Sequence, residues 1–442
     1  MTVSLARIAG KTQSYEWGKH GAESTVAQLA AATHGFGCDP AQPYAELWMG
    51  THPNAPSMVV EQSSSSSSTN SSATPLLQIL TPTNLGADIH SHYDGDLPFL
   101  FKVLSIAKAL SIQAHPDKAR AQHLHAEFPL IYKDGNHKPE MAIALTPFEA
   151  FIGFSPLGRI ATHLRAYPEL AVAVGEMETS NFLRQADTYG ESTSPDAISS
   201  NKKALKSLFS ALMHCDTEVV KDQLDRLVTR LSATPTMATR STADPLPELI
   251  CRLFAQFPHD VGCFCALFLN YVTLTPGQAI FLAANEPHAY ISGDCVECMA
   301  TSDNVVRSGL TPKFKDVETL VSMLTYNYGP ADAQILHGDV VSGQPYTRLY
   351  DPPIDEFSVA QICITKSSNG GDVVENTPGL RGPSIALVTA GEGEVSISDG
   401  TMCLAAPRGS IFFIGADTPV KWTLPNSAAC DSFVIYRAYC QM

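Results

Sequence analysis

Between positions 284 and 313 several ionisable side chains lie among small and apolar residues, including His288, Glu297, Asp303, Arg307 and Lys313. A surface loop would carry more mixed charge, and a strand of the hydrophobic core would have no reason to carry these groups. Burying an ionisable group costs several kcal/mol unless the group is paired or binds a metal. The segment therefore predicts a functional site.

A second group of polar side chains follows from the alternation of a predicted strand. Side chains two residues apart on a strand point to the same face, so Ser111, Gln113 and His115 would line one wall. Ile112 and Ala114 would point the other way. One histidine in such a place is often a core residue, whereas three alternating polar residues favour a site.

A third segment places Glu140 at the start of an apolar strand, two residues after Lys138. Pro139 between them keeps the chain extended and is typical of an edge or a strand start. Taken alone, this segment indicates an exposed salt bridge at a turn.

Together these segments supply candidate metal ligands: Gln113, His115, Glu140 and His288. Imidazole, carboxylate and amide donors suit zinc or another borderline divalent ion. Only Glu140 contributes charge, so a divalent cation would keep a formal positive charge. We expect such an ion to act as a Lewis acid with open positions.

An internal repeat indicates which residues the fold requires and which residue is free to serve a function. Residues 277–290 and 409–422 align without a gap, with glycine, phenylalanine and proline at matching positions. The chain is therefore predicted to contain one β-barrel element twice. Val420 stands where the first copy has His288, so the fold does not require the histidine, which favours a functional role.

The rest of the chain divides by composition. At 442 residues it is too long for one ordinary domain. Short β-like runs at 99–106, 110–115, 140–145 and 148–154 surround a helix predicted over 116–127. The Ser-rich run 62–75 is predicted to be a flexible insertion. Residues 157–258 contain helical periodicity, and strand patterns return after Gly262.

Composition excludes several classes of function. The formal charge of −15 argues against nucleic acid as a partner. The apolar runs are too short for a membrane span, and no signal peptide is evident, so we expect a cytoplasmic protein. The 11 cysteines, mostly in apolar segments, indicate buried free thiols. Core packing is also the interpretation for the isolated Cys-x-x-Cys of Cys295 and Cys298.

Several motifs resemble the type I mannose-6-phosphate isomerases. They are Gln113-Ala-His115-Pro-Asp-Lys, Asn136-His-Lys-Pro-Glu140, Ala284-Asn-Glu-Pro-His288-Ala-Tyr and Asn304-Val-Val-Arg307-Ser-Gly-Leu-Thr-Pro-Lys313. Tyr15-Glu-Trp-Gly18 and Ala45-Glu-Leu-Trp-Met-Gly-Thr-His52 resemble the family's N-terminal motifs. The similarity spans most of the chain outside the Ser-rich run and the helical segment.

The resemblance implies a zinc-dependent interconversion of mannose 6-phosphate and fructose 6-phosphate, with one zinc ion per chain. It implies a mainly β fold of tandem cupin-type jelly-roll barrels with an inserted α-helical domain. The expected domains are a catalytic cupin (1–154 plus 262–335), the helical insert (155–261) and a C-terminal cupin-like domain without metal ligands (336–442). By motif position, the family's zinc ligands fall on Gln113, His115, Glu140 and His288, and its active-site arginine on Arg307.

Aldose–ketose isomerisation needs a base at the carbon proton and stabilisation of negative charge on O1 and O2. Glu297 is the favoured base: a hairpin turn at 292–294 would place it on a strand paired with that of His288, on the same inward face. Its apolar neighbours would raise its pKa. Lys138 and Lys313 are competing candidates for proton shuttling or ring opening, and Asp303 for ring opening.

The substrate phosphate needs cations or hydroxyls at the far end of the pocket. Ser111, Lys102 and Arg307 are candidates for this contact. Tyr290 and Trp17 are candidates for packing against the sugar, and core packing fits both equally well.

Two other classes of function remain open at this point. A cupin dioxygenase would generally place a second histidine on the first ligand strand, where this chain has Gln113. A non-catalytic sugar-binding module would need no base, so the presence of Glu297, Arg307 and Lys313 together argues against it. We expect a phosphorylated hexose as substrate, no nucleic-acid or membrane partner, and a monomer.

Overall fold

The computed structural model of this chain describes residues 3–32, 36–60, 74–233, 244–368 and 370–441. Residues 62–73 of the predicted Ser-rich insertion lie outside these ranges. Its last residues, Thr74–Pro75, form a short strand that pairs with Met58–Val59, so the insertion prediction is wrong there. Within the described part of the chain, no helix is long and apolar enough to cross a membrane.

The first part of the chain, up to residue 154, is built mainly of strands. They are β1 (Leu5–Ala9), β2 (Lys11–Gln13), β3 (Lys19–His20), β4 (Pro43–Tyr44), β5 (Glu46–Met49), β6 (Met58–Val59), β7 (Thr74–Pro75), β8 (Phe99–Ile106), β9 (Ile112–Ala114), β10 (Glu140–Ala144) and β11 (Phe148–Phe154). Its helices are α1 (Thr25–Ala30), α2 (Pro82–Leu85), α3 (Ala87–His92) and α4 (Lys118–Glu127), with 3₁₀ turns at Gly21–Glu23 and Leu76–Ile79.

A helical segment follows. It contains α5 (Leu157–Ala166), α6 (Pro168–Val174), α7 (Glu176–Tyr189), α8 (Pro195–Met213), α9 (Thr217–Ala233), α10 (Leu246–Gln256) and α11 (Gly262–Cys265). The strand pattern was predicted to return after Gly262, but Gly262–Cys265 is still helical and the next strand begins at Leu269. This short helix is wholly buried, and a buried apolar run cannot be assigned to helix or strand by periodicity alone.

The remaining residues return to strands. They form β12 (Leu269–Leu274), β13 (Ala279–Leu282), β14 (His288–Ala300), β15 (Val306–Gly309), β16 (Ile335–Leu336), β17 (Asp339–Val341), β18 (Gln344–Tyr350), β19 (Ser358–Thr365), β20 (Val373–Thr377), β21 (Ser384–Ala390), β22 (Glu392–Ile397), β23 (Cys403–Pro407), β24 (Ile411–Ile414), β25 (Val420–Leu424) and β26 (Ser432–Tyr439). Helix α12 (Val317–Met323) and a 3₁₀ turn at Ala331–Gln334 interrupt them.

An 11-stranded sheet system positions the site. Its main path runs β16-β13-β10-β14-β8-β5-β2, and β11, β12, β9 and β15 are joined to it through β14. All residues of β8 are buried because both of its faces are covered. Phe99, Phe101 and Val103 pack in the core against the second half of the molecule. The alternate face therefore carries Lys102 into the interior of the first barrel.

The C-terminal strands form a second assembly. A nine-stranded sheet, β17-β18-β19-β26-β21-β24-β1-β6-β7, faces a four-stranded sheet, β20-β25-β22-β23. Strand β1 pairs with β24, so residues 5–9 extend the C-terminal sheet. Strands β1, β6 and β7 thus pair outside the first barrel's sheet, and the predicted assignment of residues 1–154 to one catalytic domain stays a prediction. An N-terminal strand can pair with any available sheet edge, and its sequence does not specify which one.

The internal repeat is confirmed in the backbone. Gly277 and Gly409 both have φ +87°, and Asn285 and Asp417 both adopt the left-handed region at +62° and +54°. Strand β13 corresponds to β24, and the start of β14 corresponds to the start of β25. The two copies therefore share the same turn–strand–turn geometry, although only the first has a histidine at the strand start.

One local prediction is wrong in a way that matters for the site. Residues 292–294 do not form a hairpin turn, because β14 runs unbroken from His288 to Ala300. Gly293, with φ +107°, lets the strand bend. The residues before it pair with β11 and those after it with β8 and β10. The sequence pattern shows the glycine but not that the strand changes partners there.

The predicted bounds of the other strands and of helix α4 were close to those in the structure. The strands at 99–106 and 148–154 have the predicted limits, whereas β9 and β10 are shorter than predicted. Helix α4 starts at Lys118, with the Asp117 side chain accepting the Arg120 N–H as an N-cap. All 11 cysteines are free, with Cys295 and Cys298 buried, but Cys363 and Cys403 are exposed, contrary to expectation.

Candidate metal centre and active site

Three of the predicted ligands meet in the interior of the first barrel. His115 follows β9, Glu140 opens β10 and His288 opens β14. Each offers a ligand atom, and these atoms lie within 4.8 Å of one another. Glu140 is central, with Oε1 3.3 Å from His115 Nε2 and Oε2 3.4 Å from His288 Nε2. All three side chains are buried.

The donor atoms of this cluster fit a bound cation. His115 Nε2, His288 Nε2 and Glu140 Oε2 are buried and have no hydrogen-bond partner. A buried polar atom without a partner costs free energy comparable to a lost hydrogen bond. Nitrogen and carboxylate donors of this kind are those that zinc prefers. A metal ion would satisfy all three atoms at once.

Backbone carbonyl groups orient both imidazole rings toward the centre. The Nδ1 of His115 lies 2.7 Å from the carbonyl oxygen of Asn304, and that of His288 lies 3.1 Å from the carbonyl oxygen of Glu286. Because a carbonyl only accepts, each Nδ1 carries the proton and Nε2 keeps its lone pair. Sequence reasoning missed these residues, since their side-chain types do not reveal a contact made by the backbone.

Charge within the cluster suits metal binding. Burial lowers the pKa of His115 to about 4, which keeps the ring neutral near pH 7. Burial opposes ionisation of Glu140, but His115 and Lys138 together hold the pKa of its carboxyl group well below the usual range. Lys138 Nζ lies 3.2 Å from Glu140 Oε1. A neutral imidazole and an ionised carboxylate are the forms that bind a metal.

Gln113 lies beside the cluster on β9. It is the cross-strand partner of His288 on one side and of Arg307 on the other. Ser111 donates a hydrogen bond to Gln113 Oε1 at 3.2 Å, so these two side chains share a face as predicted. The assignment of Gln113 as a metal ligand stays a prediction.

Glu297 lies on the same bent strand as His288, and both side chains are buried. Tyr290 donates a hydrogen bond to Glu297 Oε1 at 2.9 Å, and Lys102 Nζ lies 3.2 Å from Oε2. Burial raises the pKa of the Glu297 carboxyl group, and the charge of Lys102 opposes that shift. The inward placement of Glu297 follows from the register of β14 on β8, although the proposed hairpin is absent.

Lys102 belongs to a buried charged group that includes an unpredicted member, Glu46. Its Nζ lies 3.7 Å from Glu46 Oε2 and 5.0 Å from the centroid of the Trp48 ring. Burial opposes the charge of Lys102, but Glu297 and Glu46 raise its pKa overall. The Trp48 indole also donates to Glu46. The only signal for Glu46 in the sequence was its place in the motif at 45–52.

The other candidate residues lie farther outward. Asp303 is exposed, with its carboxylate 3.8 Å from His52 Nε2, and Lys313 is exposed. Arg307 is half-buried, and its guanidinium makes no hydrogen bond or ion pair with the described residues. Trp17 stacks on Tyr15 and packs against a hydrophobic cluster that also contains Tyr290. The roles of these residues stay predictions.

A strand-rich cupin fold with a helical insertion and a buried His–Glu–His cluster defines a class of metal-binding enzymes. Family models match most of the chain. The catalytic domain of phosphomannose isomerase type I matches residues 5–157, its helical insertion domain matches 174–269, and its C-terminal region matches 348–400. The chain belongs to the phosphomannose isomerase type I family and is an isomerase.

Full-length relatives agree with this assignment. The chain is 45% identical to the mannose-6-phosphate isomerase of Saccharomyces cerevisiae, covering 99% of both chains. It is 44% identical to that of Candida glabrata, covering 98% of both. A lysine-to-alanine mutant of phosphomannose isomerase from Salmonella typhimurium has a similar structure, with 29% identity, a TM-score of 0.78, and coverage of 99% of this chain and 100% of that one. A mannose 6-phosphate isomerase bound with zinc and yttrium is similar too, with 28% identity, a TM-score of 0.77 and full coverage of both chains.

Proposed function

We propose that this enzyme interconverts mannose 6-phosphate and fructose 6-phosphate and binds one zinc ion per chain. The observation that supports this most directly is the set of unpartnered donor atoms on His115, Glu140 and His288 in the barrel that also holds Glu297. Relatives that match over their whole length carry the name of this activity, and one similar structure contains zinc.

His115, Glu140 and His288, with Gln113, would hold the zinc ion, which when bound supplies Lewis-acid polarisation of a substrate oxygen. Glu297 would take the proton from one carbon and return it to the neighbouring one. The carboxylate suits this task because burial raises its pKa toward the working pH while Lys102 keeps the ionised form accessible. Tyr290 fixes its orientation through the hydrogen bond to Oε1.

The anionic end of the substrate requires cations in a chain whose net charge is −15. Arg307 is suited to this contact because its guanidinium is half-buried and makes no hydrogen bond within the described residues. Ser111 directly precedes β9, the strand that pairs with that of Arg307, and supplies a hydroxyl group. Lys102 is already paired with Glu297 and Glu46, so we expect it to tune Glu297 more than to bind phosphate.

Ring opening needs a group that can exchange a proton with the sugar oxygen. Lys138 is the best placed of the three candidates, since it is largely buried and lies against Glu140. Asp303 and Lys313 are exposed, and we assign them to the mouth of the pocket. Tyr290 is buried and already donates to Glu297, so only Trp17 keeps a place in our proposal for packing against the sugar.

The two rival functions are less consistent with these contacts. A dioxygenase would need further histidine donors, and the described cluster contains only two. A sugar-binding module would have no reason to bury Glu297 with its tyrosine and lysine partners. We propose that the enzyme acts as a cytoplasmic monomer. Its role in the cell would be either to supply mannose 6-phosphate for GDP-mannose and glycosylation or to allow the use of mannose.

One assay separates these functions. The purified enzyme is incubated with mannose 6-phosphate, and fructose 6-phosphate is measured before and after dialysis against a chelator, then after adding zinc. We expect turnover, its loss and its recovery. Turnover that persists in a verified metal-free sample would exclude the zinc-dependent mechanism, and no turnover in the zinc-loaded sample would exclude the isomerase assignment for this substrate.

A further inference from the structure

Two loops border the metal cluster, and each carries residues of the proposed site. The first loop, 133–139, carries Lys138 and leads into Glu140. The second loop, 301–305, carries Asp303 and leads from β14 to β15, where Arg307 lies. The second loop also presents the carbonyl group of Asn304 to His115 Nδ1.

Asp134 joins these loops through its carboxylate. Its Oδ1 accepts the hydroxyl of Ser302 at 2.8 Å and the Asn304 amide at 3.2 Å, and its Oδ2 accepts the backbone N–H of Asp303 at 2.8 Å. It also accepts the N–H of Asn136 at 2.9 Å within its own loop. Three consecutive residues of the second loop are therefore bound to one side chain of the first.

Backbone groups add to the same connection. The Asn304 side-chain amide donates to the carbonyl oxygens of Asp134 at 2.7 Å and of Asn136 at 3.0 Å. The Asn136 amide donates to the carbonyl oxygen of Thr301 at 3.0 Å. Asn304 is thus held at two points. Its side-chain amide donates to the first loop, and its backbone carbonyl oxygen accepts from the His115 ring.

From this geometry we propose that Asp134 is a positioning residue for the metal centre. It contacts no ligand atom. By fixing the second loop, it holds the Asn304 carbonyl oxygen where His115 Nδ1 must donate, which turns Nε2 toward Glu140. Partners that orient a metal-bound histidine contribute substantially to metal affinity, and Asp134 is the group that orients the partner. The proposal rests on the proposed metal site.

The test is Asp134→Asn, which keeps the shape but replaces one acceptor oxygen by a donor. We expect zinc affinity, measured by competition with a chelator of known affinity, to fall about tenfold. Cobalt substituted for zinc should show an altered absorption spectrum, since the His115 ring is less well oriented. At saturating zinc, kcat should fall more than KM changes.

Asp316→Asn is the matched control. Asp316 also accepts a backbone N–H, that of Thr319 at 3.0 Å, and ties a neighbouring segment through the Tyr132 hydroxyl at 2.7 Å. It makes no hydrogen bond to Asn304 or His115. Its loss should lower the unfolding temperature while leaving zinc affinity and the cobalt spectrum unchanged.

Equal zinc affinities of the two variants would overturn the proposal and leave Asp134 a purely structural residue. If Asp134→Asn does not fold, Ser302→Ala removes one of the connecting bonds and should give a smaller loss of zinc affinity in the same direction; an unchanged affinity there also overturns it. Zinc affinity separates this proposal from the proposed reaction. If Asp134→Asn lowers zinc affinity but the wild-type protein does not turn over mannose 6-phosphate, the positioning role is supported and the proposed substrate is refuted. A wild-type protein that binds no zinc would refute both the positioning role and the proposed zinc-dependent reaction.

Discussion

Glu297 and Lys102 are direct cross-strand partners, and the carboxylate Oε2 of one lies 3.2 Å from the ammonium Nζ of the other inside the first barrel. Burial pushes the pKa of Glu297 up, and the lysine pulls it down. A buried ion pair of this kind is weak evidence for a contribution to stability. From its position in the barrel that holds the His115–Glu140–His288 cluster, we expect the pair to set the proton affinity of the carboxylate.

Replacing Glu297 by glutamine tests its role as the base. The variant keeps the hydrogen bond from Tyr290 but cannot accept a proton, so kcat should fall by about 10²- to 10⁴-fold with little change in KM. The control is Glu375→Gln, a buried glutamate of the second barrel that accepts from Thr347. It should retain kcat. A near-normal kcat for Glu297→Gln would move the base elsewhere, with Lys138 the first candidate.

The pH dependence of turnover tests the pairing with Lys102. The base works only when ionised, so kcat should decline as pH falls through a pKa above the ordinary 4.5 of glutamate. In Lys102→Met the main opposing charge is lost, while burial and the carboxylates of Glu140 and Glu46 remain, so the pKa of Glu297 should rise further. The acid limb of the kcat profile should therefore shift to higher pH.

Rate profiles of the wild-type and Lys102→Met enzymes at saturating substrate measure this shift. Lys108→Met is a suitable control because Lys108 Nζ lies over the Phe257 ring and forms no ion pair with Glu297. An acid limb that stays in place, or moves to lower pH, would show that Lys102 does not control the proton affinity of Glu297.

Much of this fold could be predicted because the signals were local. The repeated turn–strand–turn was visible as matching Gly277 and Gly409, and both glycines adopt the same left-handed backbone. Strands β8 and β11 had the predicted limits because each is a predominantly apolar run between turn residues. The members of the metal cluster could be predicted because strand alternation and motif spacing indicated which side chains face inward.

What the sequence did not reveal depends on long-range pairing. The change of partner strands at Gly293, and the pairing of β1 with β24, are set by which edges are free once the chain has folded. The carbonyl groups of Asn304 and Glu286 orient the histidines, but any residue type has a carbonyl. Asp134 likewise acts through contacts with residues about 170 positions away, and no periodicity predicts them.

If His288 binds the metal as proposed, removing its ring should abolish zinc binding together with activity. His288→Ala is compared with His163→Ala, another buried histidine, whose Nδ1 bonds the Leu267 carbonyl oxygen in the helical segment. Both variants should be destabilised, but only His288→Ala should lose the zinc measured by elemental analysis. Because a ligand that binds only the native state stabilises it, added zinc should raise the unfolding temperature of metal-free wild type and His163→Ala but not that of His288→Ala. Equal zinc contents in the two variants would contradict the assignment.

Val420 tests the separation of fold and function that the repeat implies. It occupies the position of His288 in the second barrel, is fully buried, and packs in a hydrophobic cluster with Trp422 and Phe412. Val420→Ala removes two buried methyl groups and leaves a small cavity, so the free energy of unfolding should fall by about 2 kcal/mol. Zinc content, kcat and KM should remain those of the wild type below the new unfolding temperature. Denaturant unfolding and steady-state kinetics on the same sample measure both effects, and a loss of zinc on this substitution would show that the second barrel takes part in the metal site.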